Sequence, residues 1–111
     1  LDDALKFKAG VAYYPSCSAG ADEFAVPTLI LIGEFDDWSL AAECRRMMKR
    51  QNGNGPPVKL TVFPEVYHDF DYPNAGVYGT RYFGHWLRYN ADAAARAAAM
   101  TRDCLAEKLA N

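Results

Sequence analysis

The amino-acid sequence predicts an α/β fold with about three parallel β-strands and flanking helices. Three observations predict it: runs of strand-forming residues, an amphipathic helical pattern between two of these runs, and an alanine-rich helical pattern near the end of the chain. Strands that alternate with helices are typical of a parallel sheet, because the crossover helix returns the chain to the same edge. With 111 residues, half of them hydrophobic, the chain is expected to form a single domain.

Three runs of residues are strand candidates: 8–14, 28–32 and 58–63. The second run, Thr-Leu-Ile-Leu-Ile, is almost continuously apolar, as expected of a strand that is covered on both faces of a parallel sheet. The third run alternates apolar and polar residues, which is typical of a strand at the edge of a sheet. We therefore expect the sheet to end at the third strand.

Helical patterns cover residues 39–52 and residues 91–110. The first pattern presents an apolar face and is followed by Gly53, a residue type that commonly ends helices. The second pattern is rich in alanine, which favours helix formation, and Asn90 is its expected N-cap. Together with the strands, the first helix completes a predicted βαβ unit over residues 28–63.

The loops that follow the second and third strands contain the candidate catalytic residues. The first loop carries two adjacent acids, Asp36 and Asp37, and the second carries His68. Side chains at the carboxyl ends of neighbouring parallel strands can meet, since the strands lie only about 4.8 Å apart. An Asp that accepts a hydrogen bond from a His fixes the tautomer of the ring and stabilises its protonated form. The spacing thus predicts a catalytic acid–histidine pair.

Each of these residues also has an ordinary structural interpretation. A loop Asp is commonly part of a turn or a helix cap, and Asp37 is a candidate cap for the following helix. A loop His is commonly a surface residue or a satisfied one. The order of acid then His on successive strands nevertheless favours the catalytic interpretation.

The sequence lacks a recognisable nucleophile. A catalytic Ser or Cys at a strained turn between strand and helix needs Gly-x-Ser-x-Gly or its Cys equivalent, but no two of the eight glycines are four residues apart. Cys17 is the one substitute within the chain that could face the same crevice, and a buried Cys is commonly inert. Because Cys17, Cys44 and Cys104 are odd in number and widely spaced, we expect buried free thiols rather than disulfides or a zinc site.

Other residues near the two loops give weaker signals. Trp38 adjoins the acids and Tyr67 adjoins His68, where they could form an aromatic wall for an apolar substrate or could simply pack. His85 has no companion ligands at metal spacing, so we interpret it as structural. The acids that follow His68 lack a third, separated ligand. No metal site is therefore predicted.

Composition argues against two classes of partner. The net charge is −2 with acids and bases interspersed, which provides no footprint for nucleic acid. The basic residues at 45–50 are expected near the C-terminal end of the first helix, where they complement its dipole. No apolar run approaches the about 20 residues that a membrane span requires. We expect neither nucleic acid nor a membrane as a partner.

Several stretches together resemble the dienelactone hydrolase family of α/β-hydrolases. They are residues 10–15, Pro27 through Trp38, residues 67–70, and residues 78–90 leading into the alanine-rich helix. The resemblance implies that the chain is the C-terminal half of an α/β-hydrolase fold. It also implies that Asp36, at the family's acid position, orients His68, and that His68 serves as base and then acid for an upstream Cys or Ser.

The activity implied by this resemblance is hydrolysis of a small-molecule ester or lactone through an acyl-enzyme, in a cytosolic or exported enzyme without metal or organic cofactor. Since the chain opens on Leu1 rather than Met and lacks the nucleophile, we expect an inactive C-terminal fragment of that enzyme. The alternative is a non-catalytic binding or scaffold module with a hydrolase-like layout. The first strand would leave an exposed edge, so the fragment is expected to form homodimers through it.

Overall fold

The computed structural model describes residues 7–18 and 23–110. Within these residues the chain forms a three-stranded parallel sheet, a small antiparallel hairpin and two α-helices. The predicted α/β fold class, with three parallel strands and flanking helices, is confirmed. In chain order the elements are β1 (Gly10–Tyr13), β2 (Thr28–Gly33), α1 (Ala41–Arg50), β3 (Val58–Phe63), a 3-10 turn (Pro73–Ala75), β4 (Thr80–Tyr82), β5 (His85–Leu87) and α2 (Ala91–Leu109).

The parallel sheet has the strand order β1-β2-β3, with β2 in the centre. Thr28 pairs with Gly10 on one side and with Val58 on the other, so the three strands begin at the same level. Every residue of β2 after Thr28 is buried, whereas β3 is only partly covered. The continuous and the alternating sequence patterns therefore correspond to a central and an outer strand of this sheet, as predicted.

The two faces of β2 pack against different helices. Because side chains alternate along a strand, Leu29 and Leu31 lie on one face, and Ile30 and Ile32 lie on the other. The first pair packs with α2 and the His68 loop, through Phe63, Val66, Phe70, Ala93 and Ala97. The second pair packs with α1 and the segment after β1, through Cys17, Ala41, Cys44 and Met47. The fully buried strand predicted from the sequence is thus covered on both sides.

The helix termini agree with the sequence in one case and differ in another. The side chain of Asn90 accepts a hydrogen bond from the backbone N–H of Ala93 at 2.9 Å, which confirms it as the N-cap of α2. At α1 the N-cap residue is Leu40, which makes no side-chain capping bond. The interpretation of Asp37 as a helix cap is therefore wrong, because its carboxylate is engaged with a different segment.

The expectation of free thiols is wrong for two of the three cysteines. Cys17 and Cys44 form a disulfide, with their Cα atoms 4.8 Å apart, and Cys104 remains free. The bond connects the segment after β1 to the buried face of α1. Sequence spacing could not reveal this pairing, because it arises only when α1 packs back against the sheet.

The hairpin of β4 and β5 was not predicted. Tyr82 pairs with His85 across a two-residue turn formed by Phe83 and Gly84, whose φ angles are 49° and 79°. Positive φ at both positions is characteristic of a type I′ turn, which suits the twist of a tight hairpin. The hairpin lies against the loop after β3, where Leu87 forms a bridge with His68.

No helix within residues 7–18 and 23–110 is long and apolar enough to cross a membrane.

Candidate active site

The loops after β2 and β3 approach each other closely at the carboxyl end of the sheet. Gly33 ends β2, and a Cβ atom at this position would overlap the backbone carbonyl of Val66. The absence of a side chain lets the backbone N–H of Phe35 donate a hydrogen bond to that carbonyl at 2.9 Å. The glycine therefore permits the approach that brings the acid loop beside the histidine loop.

Asp36 is held in this crevice by its own loop. One carboxylate oxygen, Oδ1, accepts hydrogen bonds from the backbone N–H groups of Trp38 at 2.8 Å and Ser39 at 2.7 Å. The other oxygen, Oδ2, lies 2.7 Å from Nδ1 of His68. The side chain of Asp36 is fully buried. Both oxygens are thus satisfied, and the second is aimed at the imidazole.

This geometry determines which nitrogen of His68 carries the proton. A carboxylate can only accept, so the Nδ1–H group donates to Asp36 and the neutral ring keeps a lone pair on Nε2. The nearest carboxylate to Nε2, that of Asp69, is 3.8 Å away and is too distant for a hydrogen bond. The side chain of His68 is 14% exposed. Its Nε2 is therefore the nitrogen available to accept a proton.

Two aromatic residues contact the ring of His68. The centroid of Tyr14 lies 4.4 Å from the imidazole in a tilted arrangement, and that of Trp38 lies 5.3 Å away in a stacked one. Together with the bond to Asp36, these contacts restrict the orientation of the imidazole.

Tyr14 was not identified from the sequence. It follows β1 directly, has a φ angle of 41°, and donates its hydroxyl to Oδ1 of Asp71 at 2.7 Å. Burial of the ring raises the pKa of the Tyr14 phenol, and the hydrogen bond to Asp71 raises it further. Its position at the carboxyl end of β1, where function collects in such sheets, is the signal that could have identified it.

The two predicted substrate-pocket residues lie in different surroundings. Trp38 is 42% exposed and stacks on His68 and on His85. The ring of Tyr67 instead packs edge-on against Phe35, at 5.6 Å, and lies beneath the guanidinium of Arg88. The structure thus brings Trp38, rather than the ring of Tyr67, into contact with the imidazole of His68.

Asp37 and His85 form a second acid–imidazole pair beside the first. Oδ1 of Asp37 lies 3.4 Å from Nδ1 of His85, and both carboxylate oxygens accept from the backbone N–H of Trp86 at 3.3 Å. The pair joins the acid loop to the hairpin, 49 residues further along the chain. This contact explains why Asp37 does not cap α1.

The remaining candidates do not assemble into a reactive centre. The sulfur of Cys17 is bonded to that of Cys44, so it is not a free thiol. Among the residues that the structure describes, no group of three or more His, Cys, Asp or Glu side chains is arranged to hold a metal ion. The arrangement of Asp36 and His68 can accept a proton at Nε2 and stabilise the resulting charge.

The sequence of the chain matches a known protein family. The model of the dienelactone hydrolase family matches residues 2–109, nearly the whole chain. No curated protein and no solved structure gave a significant match.

Proposed function

Because the chain belongs to the dienelactone hydrolase family, we propose that it supplies the acid and the histidine of an enzyme that hydrolyses carboxylic esters or lactones. The nucleophile, a Ser or Cys, comes from a segment outside this sequence. The single observation that carries the proposal is the 2.7 Å contact between Oδ2 of Asp36 and Nδ1 of His68 at the carboxyl end of the sheet. On this proposal, the residues of this sequence form the C-terminal part of a single α/β-hydrolase domain.

The proposed reaction follows from the free lone pair on Nε2 of His68. This nitrogen takes the proton of the nucleophile as it attacks the ester carbonyl, and the buried carboxylate of Asp36 stabilises the imidazolium. The ring then returns the proton to the leaving alcohol, which gives an acyl-enzyme. In the second half His68 takes a proton from water, which attacks the acyl group, and returns it to the nucleophile as the acid is released. These steps require neither a metal ion nor an organic cofactor.

Trp38 forms one wall of the proposed substrate site. Its indole continues the aromatic surface from His68 towards the hairpin, where the Tyr82 ring lies 6.0 Å from it. An exposed aromatic surface beside the reacting nitrogen favours substrates with an apolar group next to the ester. The ring of Tyr67 packs against Phe35. Tyr67 can therefore contribute to the site only through its backbone, which adjoins His68 in the chain.

The test uses the protein encoded by the full reading frame, with a small chromogenic ester and a lactone as substrates. We expect His68→Ala to lower kcat/KM by about a thousandfold or more, and Asp36→Asn by at least about a hundredfold, because the latter leaves the imidazole in the wrong tautomer. Glu43→Gln, which alters an exposed ion pair with Arg46 on α1, serves as the control and should retain activity. Turnover that neither of the first two changes affects would refute the assignment.

We further propose that the 111-residue chain by itself is inactive and pairs with a second copy through β1. In the parallel sheet of the described residues, the strand order leaves one edge of β1 without a partner strand. Sedimentation at micromolar concentration is expected to give about twice the 12.3 kDa mass of the chain. A mass near that of one chain would contradict the dimer and leave the proposed chemistry untouched.

A further inference from the structure

Two consecutive acids each lie beside a different imidazole, and the next residue contacts both rings. Asp36 binds His68, and Asp37 lies beside His85. Trp38 then stacks on His68 with a centroid distance of 5.3 Å and on His85 with one of 4.4 Å. The interplanar angles of 28° and 16° make the indole nearly parallel to both imidazoles. The three rings therefore form one aromatic group around the proposed catalytic base.

The position of Trp38 is not determined by core packing. Its side chain is 42% exposed, in contrast to the fully buried side chain of Asp36 two residues earlier. A large exposed ring retains rotational freedom unless a neighbour restricts it. The closest aromatic neighbour of the indole is His85, and the ring contact between them is the more parallel of the two. Of the aromatic neighbours of Trp38 other than His68, His85 is thus the nearer, since the Tyr82 ring lies 6.0 Å away.

The hairpin that carries His85 is itself attached at two points. On one side, the Asp37 carboxylate accepts the backbone N–H of Trp86. On the other side, the backbone N–H of Arg88 donates to the carbonyl of His68 at 3.2 Å. A Cβ atom at Gly79 would lie 2.8 Å from the Trp86 ring, which shows how closely the segment before β4 lies against β5. The location of His85 is therefore tied both to the acid loop and to His68.

From this geometry we propose that Asp37 and His85 are positioning residues that hold Trp38 against the imidazole of His68. The proposal rests on the proposed function of His68 as the base. An imidazole bonded only through Nδ1 can still rock about that bond, whereas a ring placed against Trp38 keeps Nε2 in a constant direction. Productive proton transfer requires such a fixed geometry, because small displacements of a catalytic group reduce the rate strongly.

The experiment measures the Nδ1 proton of His68 in the 111-residue chain by NMR. The chain has two histidines, so the imidazole signals are assigned by substituting one of them. The rate at which this proton exchanges with water reports how often the bond to Asp36 opens. We expect His85→Ala and Asp37→Ala to accelerate exchange by about fivefold to tenfold, the effect of losing an aromatic contact. His85→Phe, which retains a ring against Trp38, should accelerate it less than His85→Ala.

Two controls separate positioning from a general loss of structure. Glu43→Ala removes an exposed acid that pairs with Arg46 and contacts none of the rings, and it should leave the exchange rate unchanged. Backbone amides of β2 should exchange as in the unmodified chain in every variant, because a positioning effect is confined to His68. An exchange rate in His85→Ala that stays within about twofold of the unmodified chain, or an equal acceleration of the β2 amides, would overturn the proposal.

This readout requires neither nucleophile nor substrate. If the full-length enzyme retains activity after His68→Ala, the proposed function fails while the exchange result stands. If the exchange rate of His85→Ala is unchanged while His68→Ala abolishes activity, only the positioning role of His85 fails. The two proposals can therefore be refuted separately.

Discussion

The β2–α1–β3 unit and the β4–β5 hairpin both determine the surroundings of His68, but they do so in different ways. The first unit is held by buried apolar side chains on both faces of β2 and places Asp36 next to His68. The second consists of two three-residue strands, of which every residue of β4 is exposed and only Leu87 of β5 is buried, and its polar contacts are with Asp37 and His68. Buried packing establishes the site, whereas local polar contacts adjust the rings around it.

This difference predicts where substitutions are costly. A change within the buried unit disturbs backbone that cannot move without opening the core, since protein interiors are close-packed. A change in the hairpin alters the contacts of exposed groups and leaves the core intact. The following predictions test that contrast, beginning with the largest expected effect.

Substitution of Gly33 by Ala is expected to have the largest effect on stability. The new Cβ would overlap the carbonyl of Val66, and backbone on both sides leaves little room for relaxation. We expect the free energy of unfolding to fall by about 3 kcal/mol or more in urea titrations. Gly55→Ala is the matched control, because a Cβ there meets no atom within 4 Å, and it should change stability by less than about 0.5 kcal/mol. Equal stability of the two variants would contradict the close approach.

Reduction of the Cys17–Cys44 disulfide is expected to have the next largest effect. The bond joins two residues with a sequence separation of 27. Without it the unfolded chain gains conformational entropy, which lowers the free energy of unfolding by about 3 kcal/mol. Dithiothreitol should therefore lower the urea midpoint of the unmodified chain. The double variant Cys17→Ala, Cys44→Ala should be insensitive to the reductant. An equal response of both proteins would show that the two sulfurs are not bonded in solution.

Tyr14, which contacts His68 from the end of β1, provides a smaller, pH-dependent effect. Burial and the bond to Asp71 raise the pKa of its phenol above that in the unfolded chain, which is about 10. The stabilisation that the Tyr14 phenol contributes is thus complete below about pH 10 and is lost as the pH rises beyond it. The reason is that Tyr14 releases its proton at a lower pH in the unfolded state than in the folded state. Tyr14→Phe should make the alkaline loss of stability shallower, measured as the urea midpoint against pH.

An exposed tyrosine provides the comparison for this experiment. Tyr78 is among the most exposed large side chains of the described residues, and Tyr78→Phe should leave the alkaline loss as steep as in the unmodified chain. If Tyr14→Phe behaved in the same way as Tyr78→Phe, the phenol of Tyr14 would not contribute to the alkaline loss of stability.

The same contrast explains how much of the molecule could be predicted from its sequence. The strand of residues 28–32 and that of 58–63 were predicted almost to the residue, because the first is a continuous apolar run and the second alternates apolar and polar residues. The helix predicted at 39–52 occupies Ala41–Arg50, a difference confined to its ends. The proximity of Asp36 and His68 followed from the same pattern, because it depends only on parallel neighbouring strands.

The features that were missed depend on contacts between distant segments. Strands of three residues are too short to show a period, so β4 and β5 left no signal. The partner of Asp37 lies 49 residues away, and no local pattern distinguishes such a contact from a helix cap. The Cys17–Cys44 bond likewise follows from the packing of α1 and not from cysteine spacing. Sequence patterns therefore predicted the scaffold and the proximity of Asp36 and His68, but not the groups that surround them.

The central claim is that Asp36 holds His68 with its proton on Nδ1 and with Nε2 free to act as a base. The 15N chemical shifts of the neutral His68 ring are the measurement that tests it. We expect a protonated Nδ1 and an unprotonated Nε2 in the unmodified chain, and a shift of the proton towards Nε2 in Asp36→Asn. A proton that resides on Nε2 in the unmodified chain would show that Asp36 does not hold the ring in this tautomer.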